Sequence, residues 1–300
     1  MNKKYALIGT AGFVAPRHFR AIKETGGELV VAFDPHDAVG QLDSWFPNAA
    51  SFTDFGAFAD FIEQQKQAGQ PIDYLSVCSP NFLHKTHIEF GLNAGLSVIC
   101  EKPLVVEPAD IGPLQFLEKK TGLSVSTILQ LRLHPNLIAF KNKVEQAPKS
   151  QIFEVDLTYI TPRGHWYFSS WKADETKSGG ILTNIGIHLF DALTWIFGEC
   201  HEATVDQKTN VRAAGTLKLE RAHVRWFLSI EQDILPGTTR ETALRTLTAD
   251  GEQIEFSTGF TDLHTESYRA ILDGHGFSIL EAGKAVGLVN QLRNLSPNSR

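Results

Sequence analysis

The 300-residue chain carries 28 Lys and Arg against 34 Asp and Glu, a formal net charge of -6, with 42% hydrophobic and 21% charged residues. That balance excludes a disordered chain and a general nucleic-acid binder, which needs a basic face to displace counterions from phosphate. No apolar run reads as long enough to span a bilayer, and the length suits two domains of ordinary size.

Up to about Leu123 strand-like and helix-like segments alternate with short connections. "YALIG" is a continuous apolar strand, "PRHFRAIKETG" a helix and "ELVVAFD" a strand; "FGAFADFIEQQKQAG" is an amphipathic helix, "IDYLSVCSP" a strand, "NFLHKTHIEFGLNAG" a helix and "LSVICEKP" a strand. Such alternation means βαβ units, hence an α/β Rossmann domain with a doubly wound parallel sheet over residues 1–124. The opening "MNKKYALIGTAGFVA" has the charge and apolarity of a secretory signal, but it continues into a nucleotide-binding pattern and is read as a strand and turn.

After "TGLSVSTILQLRLHP" the pattern changes. "QIFEVDLTYI", "GTLKLERA", "AHVRWFLSIE", "ETALRTLTAD" and "EQIEFS" read as antiparallel strands, with "GILTNIGIHLFDALTWIFG" as a long helix among them. Residues 125–300 are therefore expected to form an α+β domain with a large open, mainly antiparallel sheet. Val224, Trp226, Leu228 and Ile230 share one face of a strand, and an apolar sheet surface could pack on a partner subunit. Cys78, Cys100 and Cys200 are widely spaced without a CxxC pair, which points to a reduced, cytoplasmic setting.

Gly9, Gly12 and Ala15 in "IGTAGFVA" follow the first strand with G-x-x-G-x-x-A spacing. The first glycine permits a tight turn, the second lets backbone N–H groups approach a pyrophosphate, and the small third residue lets helix and strand pack closely. Asp34 ends the next strand, where an acid accepts ribose hydroxyls and repels the extra phosphate of NADP, so NAD is the expected cofactor. The candidate cofactor set is Gly9, Gly12, Phe13, Val14, Asp34, Ser79, Pro80, Asn81, His84, Glu101 and Lys102. Asn81 could equally cap the helix that begins there.

The strand "LSVIC" should end at the ligand-binding edge of the sheet, where Lys102 can point an ammonium at a substrate hydroxyl and Pro103 fixes the backbone that aims it. A second constellation is Asn184, His188 and Asp191, whose spacings of four and three put them on one stripe of an otherwise apolar helix. The HxxD spacing lacks further ligands at convincing positions, so no metal is expected.

The glycine turn, "EKP" at Glu101–Pro103 and "GIHLFD" at Gly186–Asp191 together resemble the glucose-fructose oxidoreductase and inositol dehydrogenase superfamily. The resemblance implies a Rossmann domain, an open-sheet second domain, dimers or tetramers, and a cis Lys102–Pro103 bond. "GTAGFVAPRH", "LRLHPN", "YITPRGHWYFSSWKADETKSGG" and "FTDLHTESYRAIL" are further similar to bacterial UDP-N-acetylglucosaminuronate 3-dehydrogenases, which prepare diacetamido-uronic sugars for surface polysaccharide.

For such a substrate, Arg163, His165 and Lys172 among Tyr159, Trp166, Tyr167 and Trp171 suit anionic groups beside a flat base, and Arg132 and His134 add donors. The expected substrate set is Lys102, Arg132, His134, Arg163, Trp166, Tyr167, Trp171, Asn184 and His188. His188 is the expected base, because imidazole titrates near working pH, and Lys102 stabilises the developing alkoxide. Inositol-type relatives carry aspartate where this chain has Asn184, which marks that amide as an orienting or sugar-binding group. The expected partner is a UDP-sugar, with no nucleic acid or membrane, in a homo-oligomer, a tetramer or else a dimer. Another sugar or cyclitol dehydrogenase, and a non-catalytic NAD-binding regulator, are the competing readings.

Overall fold

The computed structural model describes residues 2–231, 243–256 and 262–298. Glu241 and Thr242 of the expected strand "ETALRTLTAD", Ser257 at the end of "EQIEFS", and Phe260 and Thr261 of "FTDLHTESYRAIL" lie outside them. The chain divides into two compact units, one of residues 1–105, 109–128 and 264–283, the other of residues 106–108, 129–263 and 284–300. A single cut after residue 124 therefore does not describe the division: a late stretch returns to the first unit, where Tyr268 and Ile271 join its apolar core.

The first unit holds a parallel sheet of β1 (Lys4–Ile8), β2 (Glu28–Phe33), β3 (Ala50–Phe52), β4 (Tyr74–Val77), β5 (Ser97–Cys100) and β6 (Val125–Thr127). Their order is β3-β2-β1-β4-β5-β6, with every neighbouring pair parallel. The connecting helices are α1 (Ala15–Glu24), α2 (Val39–Trp45), α3 (Phe55–Gln67), α4 (His84–Ala94) and α5 (Ile111–Thr121). Tyr5 to Ile8 are at most 1% exposed, so the opening apolar run is a strand covered on both faces. The strand order reverses between β1 and β4, which opens the ligand crevice typical of doubly wound sheets. Helix α3 starts on the Asp54 carboxylate, which accepts from the Ala57 N–H at 2.8 Å and contributes about 1 kcal/mol of capping.

The second unit holds β7 (Phe153–Ile160), β8 (Cys200–Lys208), β9 (Arg212–Leu219), β10 (Ala222–Ser229), β11 (Leu244–Ala249) and β12 (Glu252–Ile254), in the order β12-β11-β7-β10-β9-β8. Only the β7–β10 pair is parallel. Val224, Trp226, Leu228 and Ile230 share one face as expected, each no more than 2% exposed. On the outward face Arg225 makes two bonds to Asp156 and Lys218 meets Glu202. That row carries paired charges.

The helices of this unit are α6 (Pro135–Gln146), α7 (His165–Phe168), α8 (Glu175–Ser178) and α9 (Ile187–Phe197), with a π turn, Leu182–Gly186, leading into α9. By length and composition the stretch Glu175–Phe197 does reach bilayer span, contrary to the sequence reading, yet 78% of its apolar window is buried within the protein. It serves here as a core helix. Two helices, α10 (Leu263–Leu272) and α11 (Ile279–Asn294), end the chain.

Candidate active site

The glycine turn after β1 has the geometry its spacing implies. Gly9 sits at φ +95°, and a Cβ there would lie 2.6 Å from the carbonyl carbon of Cys78; one on Gly12 would lie 3.0 Å from the Gly9 oxygen. Both positions keep the turn open to a close backbone approach. Helix α1 begins at the fully buried Ala15 with neither a side-chain cap nor an acid in its first turn, so its positive end stays unneutralised. Asp34 directly follows β2 and accepts from the Ala11 and His36 N–H groups at 2.8 and 2.9 Å, which ties it to the turn. Phe13 is exposed and lies under the Arg17 guanidinium. These residues fit a dinucleotide: a turn without side chains and a free helix terminus for the phosphates, and a fixed carboxylate for a ribose.

The loop after β4 holds Ser79, Pro80 and Asn81, and Asn81 opens a short 3-10 turn leading into α4. Ser79 Oγ lies 2.8 Å from His87 Nδ1, and burial lowers the His87 pKa to about 4. His84, a candidate cofactor ligand, is 1% exposed, with Nδ1 2.6 Å from the Pro103 carbonyl and Nε2 2.9 Å from that of Ser79. Burial pushes this imidazole down while the two carbonyls draw it up. It straps the Ser79 loop to the segment that follows Lys102.

Lys102 is part-exposed just beyond β5, and the Lys102–Pro103 bond is cis, as the resemblance implied. Glu101 is 5% exposed; His18 Nε2 and His264 Nε2 lie 3.0 and 2.8 Å from its Oε1, and its Oε2 accepts the Lys102 N–H at 3.2 Å. Burial raises the Glu101 carboxyl, but the bonds from the two histidines outweigh it and hold the group well below the usual carboxylate range. The sequence reading placed Glu101 beside the cofactor and passed over His18 and His264. Their only signal was a histidine in each of two helices otherwise rich in core residues.

In the second unit, two successive left-handed glycines, Gly179 and Gly180, precede the π turn, and a Cβ on Gly179 would fall 2.4 Å from Thr183 Oγ1. The extra residue of a π turn re-registers the side chains around it, so Asn184 and His188 do not follow the plain i, i+4 stripe. Asn184 is buried and donates to Tyr167 Oη at 3.0 Å. His188 is the one residue between Ile181 and Leu193 that is not buried, a side chain breaking through an apolar helix. Asp191 turns to Arg132, which bonds it through Nε at 2.9 Å and Nη2 at 2.7 Å, both partners buried.

Arg132 thus carries a matched charge, and His134 caps α6 by accepting the Asn136 N–H at 3.3 Å. Arg163 donates to the Thr161 hydroxyl and to nearby carbonyls of its own loop. Lys172 lies 4.3 Å from the centroid of the Trp171 ring and 5.6 Å from that of Trp166, its pKa lowered by burial and by Arg163. Tyr167, Lys172, Gly180, Lys208 and Arg293 border a cavity of about 190 Å³. Trp166 is 43% exposed, while Tyr167 is buried.

An oxidoreductase family model with an NAD-binding Rossmann fold matches residues 3–128, and the C-terminal alpha/beta domain of the same family matches residues 151–224. The WlbA (WbpB) dehydrogenase of Thermus thermophilus is 48% identical, with 99% of this chain and 97% of that chain covered and a TM-score of 0.94. The chain belongs to the GFO/IDH/MocA oxidoreductase family. That Thermus structure is a complex with NAD and alpha-ketoglutarate, and a second one, at 46% identity and TM-score 0.93, with 99% and 97% covered, holds NAD and UDP-GlcNAcA.

Among curated family members, inositol 2-dehydrogenase of Rhizobium meliloti is 27% identical over 66% of this chain, and D-glucoside 3-dehydrogenase of Escherichia coli 28% identical over 42%. The matched stretches span 56% and 36% of those two relatives. Family membership makes the chain an NAD-dependent oxidoreductase with an NAD-binding Rossmann domain.

Proposed function

We propose that the chain oxidises the 3-hydroxyl of UDP-N-acetylglucosaminuronate to the 3-keto sugar with NAD. The likeness to the Thermus dehydrogenase, 48% identical along nearly all of both chains, carries this reading. When bound, NAD accepts the hydride that leaves the alcohol carbon. His188 takes the hydroxyl proton, and the Lys102 ammonium stabilises the oxygen as negative charge develops on it. The part-exposure of His188 on a buried helix and the position of Lys102 beyond β5 support these roles.

Lys172, Arg163, Trp166, Tyr167 and Trp171 supply the charge and flat surfaces for the sugar nucleotide, with Asn184 orienting Tyr167. Arg132, bonded to Asp191, and His134, at the start of α6, belong to the same substrate set. The setting we infer is the cytoplasm, as a homo-oligomer, a tetramer before a dimer, supplying surface polysaccharide such as lipopolysaccharide O-antigen. Three unpaired thiols suit a reducing compartment.

The test is to incubate the protein with NAD and UDP-N-acetylglucosaminuronate and follow NADH absorbance. Lys102→Met should lower turnover by about a thousandfold or more while NAD affinity stays within about threefold. Turnover of an inositol or plain glucoside in place of the UDP-uronate would favour the activities named for the curated relatives.

A further inference from the structure

We propose that His18 and His264 are positioning residues for Lys102, acting through the Glu101 carboxylate that they hold between them. The inference rests on the dehydrogenase reading of Lys102. Three polar side chains from distant parts of the sequence meet where apolar packing would be cheaper: His18 is 0%, His264 2% and Glu101 5% exposed. Both imidazole Nε2 atoms converge on the same oxygen, Oε1, and the other oxygen takes the backbone N–H of Lys102.

An ionised Glu101 carboxylate can only accept, so both Nε2 atoms donate to it. His18 Nδ1 lies 2.8 Å from Tyr268 Oη, which lies 2.6 Å from Ser76 Oγ, all three side chains fully buried. Behind His18 the Tyr268 and Ser76 hydroxyls continue the hydrogen-bonded chain. Among the described residues His264 Nδ1 has no partner, so its Nε2 bond to Glu101 is what orients this ring. Two imidazole N–H groups from separate helices then hold one anion.

This arrangement bears on Lys102 because Glu101, whose N–H still bonds the Val77 carbonyl at 3.0 Å beyond the end of β5 at Cys100, adjoins it in the chain. The Lys102 N–H is tied to Glu101, and on the far side the Pro103 carbonyl is tied to His84. His18 lies on α1, directly behind the glycine turn, so one carboxylate links the cofactor-binding helix to the lysine. A shift of about 1 Å in a reacting group costs on the order of a hundredfold in rate, which is the leverage such a clamp has.

His264→Leu removes one donor, and His264→Gln keeps an amide N–H at a similar reach. The expected result is a fall in kcat of about 10- to 100-fold for His264→Leu, recovery to within about fivefold for His264→Gln, and NAD affinity within about threefold in both. In protein labelled with 15N-lysine, the Lys102 amide resonance, assigned by its loss in Lys102→Met, should move in the leucine variant and return in the glutamine variant.

Should His264→Leu fail to fold, Tyr268→Phe, which keeps the ring and deletes the hydroxyl hydrogen-bonded to His18, must itself lower kcat and move the same resonance. Unchanged kcat with an unmoved amide in the folded variants overturns the proposal. So does a stoichiometric divalent metal on these three side chains in the purified protein. If the wild type makes no NADH from the UDP-uronate, the substrate reading alone has failed, and the amide shift still judges the clamp.

Discussion

Replacing Asp191 by alanine tests whether the HxxD pattern is a catalytic stripe or a structural one. The carboxylate makes two charge-assisted bonds, at 2.7 and 2.9 Å, to an arginine whose side chain is 7% exposed against 2% for its own. Alanine leaves the cation buried and removes both bonds, a change that costs about 3–5 kcal/mol. For a cooperative unit of this size that corresponds to a fall in Tm of about 6–20 °C.

Urea unfolding followed by tryptophan fluorescence reads the effect, because Trp166, Trp171, Trp195 and Trp226 all lie in the second unit. The double variant Arg132→Met with Asp191→Leu, which removes both charges and refills the volume, should return to within about 1–2 kcal/mol of the wild type. A loss below about 1 kcal/mol for Asp191→Ala would show that the pair is solvated in solution and would refute the argument.

The His87 pKa, lowered to about 4 from 6.5, means that the folded protein binds this proton less readily than the unfolded chain. Its contribution is therefore complete above pH 6.5 and is lost as pH falls toward 4, to a total of about 3 kcal/mol. His87→Phe should flatten the pH dependence of urea midpoints in that window by about one proton. Gly9→Ala places a Cβ 2.6 Å from the Cys78 carbonyl carbon at φ +95°; it should cost at least about 2 kcal/mol and weaken NAD binding about tenfold or more by fluorescence titration.

Local pattern determined much of this protein. The run "YALIG" had to become a buried strand because nothing in it tolerates water on either face, and the glycine spacing after it leaves few turns other than an open one. The Gly9 turn, Asp34, the exit of β5 at Lys102 and the apolar face of β10 were all legible, since each depends on residues within one element and its ends. The short strand β3, the edge strand β8 and the late helices carried too little periodicity to be read.

Tertiary structure decided what depends on partners far away in the chain. The spacing in "GIHLFD" put Asp191 beside His188, but only folding could pair it with Arg132, 59 residues earlier. His264 meets Glu101 across 163 residues, and the stretch that carries it belongs to the first unit only because a helix returns there. A buried charge has to find its counterpart wherever the fold provides one, and sequence separation places no limit on that choice.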